Sequence, residues 1–338
     1  MSRIADQVQL SIARQLLGVP PTVLDLLLST RRKTYRSATL DPTAHLMFGL
    51  FKRSGRAGLH EMEPPRARQA AATLGGPFEV EHVEVPIADT TLADLPVRLD
   101  RGGSADAPAM LFFHGGGFVV GSIQTYDRVC RYIAKAARAT VVSVEYRLAP
   151  EHPYPAAHLD ARRVLEAAIA GTPAIGAPSA WMVAGDSAGG NLAASAAQHA
   201  QEIGAPLSFQ YLVYPATDLL HDTQSFRDLP SMDLLLGSDL LDWFGRHLVD
   251  DREKVRDPMA SPLRREDLTG LCRTKIVTAG FDPLWDEGEA YAKRLREANV
   301  DVAHQHYPTM FHGFMSFAAL FPEGRALLED MARTLRDL

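Results

Sequence analysis

Gly185-Asp186-Ser187-Ala188-Gly189 sets a serine between two glycines, with the apolar run Trp181-Met182-Val183-Ala184 directly before it and the helix-prone Asn191-Leu192-Ala193-Ala194 directly after. A strand, a sharp turn and a helix in that order predict a nucleophile elbow. The turn forces Ser187 into strained backbone angles and stands its hydroxyl at the carboxyl end of a sheet, above the N-terminus of the following helix. Glycine is needed on either side because side chains there would collide with the neighbouring strand and helix. The same five residues also fit an ordinary glycine-rich turn before a helix, so the reading rests on what flanks them.

Upstream, the apolar run 109–113 leads straight into His114-Gly115-Gly116-Gly117-Phe118. Three glycines after a buried strand cost chain entropy unless the backbone must approach something closely. The expectation is an oxyanion hole in which the N–H groups of Gly115 and Gly116, with that of Ala188, point at one developing alkoxide. A flexible turn is the alternative. His114 is expected to hold this loop by hydrogen bonds rather than to act as a base. Asp186, beside the serine, is a candidate to hydrogen-bond the loop that carries it, or else a solvent-facing turn acid.

Downstream, a strand over 275–279 ends in Gly280-Phe281-Asp282-Pro283-Leu284. An acid at the carboxyl end of a strand suits the orienting member of a triad, and Asp282 stands there. Asp286 and Glu287 fall in the first turn of a helix, where the helix dipole already accounts for an acid. A strand over 302–306 is followed by a loop carrying His312-Gly313-Phe314, and the order Ser187, Asp282, His312 is that of α/β-hydrolases. His304 and His306 share one strand face, and no third ligand stands at a telling spacing, so an exposed strand face is preferred to a metal site.

Strands at 109–113, 140–144, 181–184, 209–213, 275–279 and 302–306 alternate with helical patterns, which predicts a mostly parallel sheet with helices on both faces. Residues 80–86 and 95–100 alternate as antiparallel edge strands. Residues 215–260 break this rhythm with an amphipathic helix carrying Leu236, Leu240, Trp243, Phe244 and Leu248. Together with the loosely helical 1–55 it is assigned to a helical cap, leaving 56–214 and 261–338 as the catalytic α/β domain. The chain has 338 residues, enough for one large α/β domain or two ordinary ones, and its formal charge of −6 disfavours nucleic-acid binding. Cys130 and Cys272, the only cysteines, make no disulfide framework and fit a cytoplasmic protein. No stretch is apolar enough to span a bilayer or to serve as a signal peptide.

The chain resembles the hormone-sensitive-lipase-like carboxylesterases, the bacterial family IV esterases of the α/β-hydrolase fold. The resemblance is carried by His114-Gly115-Gly116-Gly117, by residues 146–157 with Tyr146-Arg147-Leu148-Ala149-Pro150-Glu151-His152-Pro153, by Gly185-Asp186-Ser187-Ala188-Gly189-Gly190, by Asp282-Pro283-Leu284 and by His312-Gly313-Phe314. It implies Ser187, Asp282 and His312 as the triad, Gly115, Gly116 and Ala188 as the oxyanion hole, and a supporting role for Glu151, His152 and Tyr154. A pocket covered by the cap favours short- to medium-chain esters as substrates, and the triad chemistry needs no metal or organic cofactor; homodimers occur in the resembling family, though no residue here compels one. Phe118, Leu235, Leu236, Trp243, Phe281 and Phe314 are candidate pocket walls, with Leu240 and Phe244 beside them on the cap helix. Amide or carbamate hydrolysis by the same triad is an alternative, as is a non-catalytic receptor on the same scaffold, against which His312 speaks.

Overall fold

The computed structural model describes Val23 and residues 32–53, 58–74, 78–232 and 234–338. Along the chain, a two-residue pair β1 (Thr34–Tyr35) and β2 (Ala38–Thr39) leads to helices α1 (Pro42–Arg53) and α2 (Pro64–Leu74). Then follow β3 (Ile87–Leu92), β4 (Leu95–Arg101), β5 (Ala109–Phe113), α3 (Asp127–Ala137), β6 (Thr140–Val144), α4 (Ala156–Ala170), β7 (Trp181–Asp186), α5 (Ala188–Glu202) and β8 (Phe209–Val213). The remainder is α6 (Gln224–Asp228), α7 (Ser238–Leu248), β9 (Arg273–Phe281), α8 (Trp285–Glu297), β10 (Val302–Phe311) and α9 (Pro322–Arg336).

Eight strands form one sheet in the order β10-β9-β8-β7-β5-β6-β4-β3, and β4 alone runs against its neighbours. The central strands β5, β6, β7 and β8 are buried at every position, as largely apolar strands covered on both faces must be. On one face Leu111, Phe113, Val183, Leu212 and Ile276 pack with Val164 and Leu165 of α4, Leu192 of α5 and Leu295 of α8. On the other, Met110, Phe112, Met182, Tyr211 and Val277 pack with Ile133 of α3 and Leu328 and Met331 of α9. The chain leaves β5 toward β6 and later leaves β7 toward β8, on the other side. The loops after these two adjacent strands therefore part and open a crevice at their carboxyl ends. The glycine loop and Ser187 are those two loops.

Three expectations change. Residues 80–86 form no strand; they bury Val80 and Val85 without a ladder partner, and the edge hairpin is β3 with β4. The strand expected to end at His306 continues to Phe311, because a register shift between Tyr307 and Phe311 absorbs Pro308 on an edge strand, where its missing N–H is tolerated. Part of the N-terminal segment assigned to the cap belongs to the body. Leu40, Ala44, Met47 and Phe48 join the core beneath α9, with Phe48 edge-on to Phe311 at 4.8 Å. Of the segment read as loosely helical, residues 1–22, 24–31 and 54–55 lie outside the described residues. Among the described residues no helix is long and apolar enough to cross a membrane.

Candidate active site

Ser187 joins β7 to α5 at φ 56° and ψ −120°, a conformation costly for any residue with a Cβ. Its surroundings hold it there. The Ser187 N–H donates to Val213 O, and its carbonyl accepts from the N–H groups of Asn191 and Ala216. The elbow also demands close approach, since a Cβ on Gly189 would lie 1.9 Å from Phe113 O. Asn191, one turn into α5, bridges the neighbouring loops by donating to Ala216 O and Ala260 O, while its side-chain oxygen meets His158 Nε2 at 2.8 Å.

Asp282, just past β9, and His312, just past β10, reach Ser187 across the crevice. His312 Nε2 lies 2.9 Å from Ser187 Oγ, and His312 Nδ1 lies 2.8 Å from Asp282 Oδ2. Asp282 is fully buried, and its other oxygen accepts the Leu284 N–H at 2.8 Å. A buried carboxylate so fixed orients the imidazole and leaves Nε2 free to accept the serine proton. The ring of Tyr214, 4.7 Å from that of His312, backs the histidine from below. Asp286, set aside in favour of Asp282, instead pairs with Arg36 at 2.8 Å and accepts the Ser225 N–H.

The glycine loop corrects one expectation. The Gly115 N–H does not face the crevice; it donates to Asp186 Oδ1 at 2.8 Å and lies 3.2 Å from the Tyr126 hydroxyl, which donates to Asp186 Oδ2. Among the described residues the N–H groups of Gly116, Gly117 and Ala188 have no acceptor, and all three residues line cavities that also reach Ser187. Gly116 and Gly117 have φ of 121° and 59°, which L side chains rarely adopt, and a Cβ on Gly117 would strike the Phe244 ring. Asp186 is thus the buried anchor of the loop rather than a solvent-facing acid, and burial pushes its carboxyl up to about 6. His114 is buried too and stacked on Tyr146, with Nδ1 at 2.8 Å from Gly115 O; burial pushes it down to about 4, so its ring is neutral.

Residues after β6 brace the loop. Glu151 forms a paired contact with Arg68 of α2, and Arg68 also donates to Val119 O and Ala149 O. Tyr154 donates to Asp257 at 2.7 Å. Two cavities meet at Ser187. The larger, about 590 Å³, is walled by Phe118, Ala188, His221, Leu236, Phe244 and Leu248. The smaller, about 170 Å³, is walled by the glycine loop, Leu235, Leu236, Leu240, Phe244 and His312. Trp243, Phe281 and Phe314 line neither. Trp243 turns away to pack with Ala67, Val119, Val120 and Ala149, whereas Phe281 and Phe314 are buried in the core under the sheet. Tyr126, Asn191 and Tyr214 stood out by no motif, and Tyr146 stood in the stretch that carries the resemblance but was given no role, since each acts through contacts distant in the chain. His304 and His306 both meet Thr278 Oγ1 at 2.9 Å and are half-buried rather than exposed.

An eight-stranded sheet of this order, with a strained serine at its switch point and a histidine and carboxylate behind it, is that of an α/β hydrolase. The family described as alpha/beta hydrolase fold matches residues 110–316. The carboxylic ester hydrolase LipN of Mycobacterium tuberculosis is 37% identical over 333 residues, 94% of this chain and 88% of its own. An ethyl acetate hydrolase of Pseudomonas putida is 32% identical over 279 residues, 78% of this chain and 87% of its own. The solved hyperthermophilic esterase of Pyrobaculum calidifontis superposes with a TM-score of 0.82 at 33% identity, over 88% of this chain and 98% of that one. The chain belongs to this family, among its hormone-sensitive-lipase-like carboxylesterases.

Proposed function

We propose that the protein hydrolyses short- to medium-chain carboxylic esters through an acyl-enzyme on Ser187. The observation that carries this is the unbroken contact Ser187 Oγ to His312 Nε2 and His312 Nδ1 to Asp282 Oδ2, at 2.9 and 2.8 Å. As Oγ attacks the ester carbonyl, its proton passes to Nε2, and the Asp282 carboxylate stabilises the imidazolium. The carbonyl oxygen, now an alkoxide, takes the N–H groups of Gly116, Gly117 and Ala188. Collapse breaks the bond to the alkoxy oxygen, which leaves as the alcohol with the proton from Nε2. Water then gives a proton to Nε2 and attacks the acyl carbon, releasing the acid and restoring Ser187.

His312 lines only the smaller cavity, and the leaving oxygen must stand beside His312 to be protonated. This supports placing the alcohol there and the acyl chain in the larger cavity, whose volume is that of an ordinary ligand pocket. Residues 215–260 act as the cap: Trp243 seats α7 on the glycine-loop side, and Phe244 of the same helix walls both cavities.

With p-nitrophenyl butyrate as substrate, Ser187→Ala lowers kcat by about 10⁴-fold or more with unchanged thermal stability, by analogy with removal of other triad serines. Turnover within tenfold of the parent overturns the reading. Rates across an acyl series fall steeply beyond medium chains; a rise toward long chains contradicts the capped pocket.

A further inference from the structure

A second histidine–carboxylate pair stands at the larger cavity, with His221 on its wall and Glu287 buried behind it. Glu287, the first-turn acid of α8, is fully buried, and its Oε1 accepts the N–H groups of Thr217 and Asp218 at 2.8 and 3.2 Å. Its Oε2 lies 3.3 Å from His221 Nδ1. With Oε1 taken by two backbone donors, Oε2 is placed to accept from Nδ1, and in that tautomer Nε2 presents a lone pair to the cavity. The His221 ring lies flat on Phe226, with centroids 4.4 Å apart and planes 3° from parallel. Its backbone sits at φ 54°, an uncommon conformation for a residue with a side chain. Among the described residues nothing pairs with Nε2, and His221 and Ser187 wall the same cavity.

The walls nearby are apolar: Leu219, Phe226, Leu236, Leu248, Val255 and Leu284. A leucine would finish such a surface without a buried acid or a strained backbone. The charged groups on the same cavity, Asp242, Arg246, Asp250 and Arg252, are all exposed, and Asp250 pairs with Lys254. Apart from Ser187 itself, His221 is thus, among the described residues, the one inner polar side chain of this cavity held in a fixed orientation by a buried partner. A mostly apolar pocket with a single oriented acceptor reads a single donor on its ligand.

We propose that His221 is a specificity-determining residue whose Nε2 accepts a hydrogen bond from a hydroxyl on the acyl chain, so that the enzyme prefers hydroxyacyl esters to plain alkanoyl esters. This rests on the reading of Ser187 as the nucleophile and of the larger cavity as the acyl site. Sites built to hydrogen-bond a hydroxyl discriminate far more strongly than sites that sense one methylene.

The test compares kcat/KM for p-nitrophenyl 3-hydroxybutyrate and 6-hydroxyhexanoate with that for the matching butyrate and hexanoate. Wild type favours at least one hydroxyacyl ester over its match. His221→Phe keeps a flat ring on Phe226 but loses the acceptor, and the preference falls about tenfold, mainly through KM. Glu287→Gln keeps the imidazole, but the amide turns its NH2 toward Nδ1, so the ring hydrogen moves to Nε2, which can then donate to the oxygen of a hydroxyl or of a methyl ether alike. Wild type therefore favours the 3-hydroxybutyrate over the matching 3-methoxybutyrate, and this variant loses that distinction. A merely structural histidine would not respond to that change of tautomer. No preference in wild type for either hydroxyacyl ester, or a preference that survives both variants, overturns the proposal while leaving the esterase reading intact. Failure of wild type on all four esters would instead strike the esterase reading itself.

Discussion

Asp186 does at the residue scale what its sequence neighbour cannot. Ser187 is held by backbone contacts to the loop after β8, whereas the Asp186 side chain reaches the other way and fixes the glycine loop through the Gly115 N–H and the Tyr126 hydroxyl. Asp186→Ala therefore leaves Ser187 in place and frees the loop that carries Gly116 and Gly117. Misplacement of a catalytic group by about 1 Å costs about 10²-fold in rate, so kcat is expected to fall on that order with KM little changed, as steady-state kinetics on a short-chain ester will show. Asp282→Asn tests the other arm. An amide that donates toward Nδ1 enforces the wrong tautomer of His312, and kcat is expected to drop by about 10⁴-fold with the fold intact. Ser187, Asp282 and His312 could be picked from sequence because each stands at a strand end in a telling chain order. Which glycine N–H faces the crevice could not, because a carboxylate 71 positions away in the chain decides it.

At the scale of elements, α7 is the piece that shapes the substrate space. One side of the helix carries Trp243, buried against Ala67, Val119, Val120 and Ala149; the next residue, Phe244, stands over Gly117 between the two cavities. Phe244→Ala removes the partition and merges them. The ratio of kcat/KM for octanoyl over butyryl esters is then expected to rise about threefold or more; an unchanged ratio would mean that the ring does not bound the acyl site. Trp243→Ala strips the helix of its anchor, and large-to-small changes of this kind typically cost about 3–5 kcal/mol where the residue is buried, read as a lowered melting temperature. The amphipathic spacing from Leu236 to Leu248 located this helix, but its period could not say which aromatic faced the body and which the cavity. Phe281 and Phe314 were misleading for the related reason that an aromatic beside a catalytic loop can as readily point under the sheet as over it. The same limit applied at the edge of the sheet, where residues 80–86 alternate like a strand but have no partner to pair with.

The whole molecule carries its active site at the carboxyl end of a sheet whose central strands are largely apolar, and β4 buries an acid away from Asp186 and Asp282, the acids that serve the site. Asp100 on β4 is fully buried, neither of its oxygens has a hydrogen-bond partner among the described residues, and Cys130, Asp127 and Arg131 of α3 and Arg98 of β4 surround it. Burial, with repulsion from Asp127, pushes its carboxyl up to about 7. The folded chain thus keeps a proton that the unfolded chain releases near pH 4, so this contribution is complete below that pH and is lost as pH rises through 7. Asp100→Asn removes the dependence, and its melting temperature relative to wild type is expected to climb between pH 5 and pH 8; a flat difference would mean that the carboxyl is ionised throughout. The central proposal is that Ser187, at the switch point of this sheet, is the activated nucleophile. A fluorophosphonate probe titrated against the enzyme, with intact mass, peptide mapping and esterase rate read on the same samples, tests it most directly. One adduct per chain, on Ser187, with activity lost in proportion to labelling, is the result expected; an adduct elsewhere, or hydrolysis that persists in fully labelled protein, would contradict it.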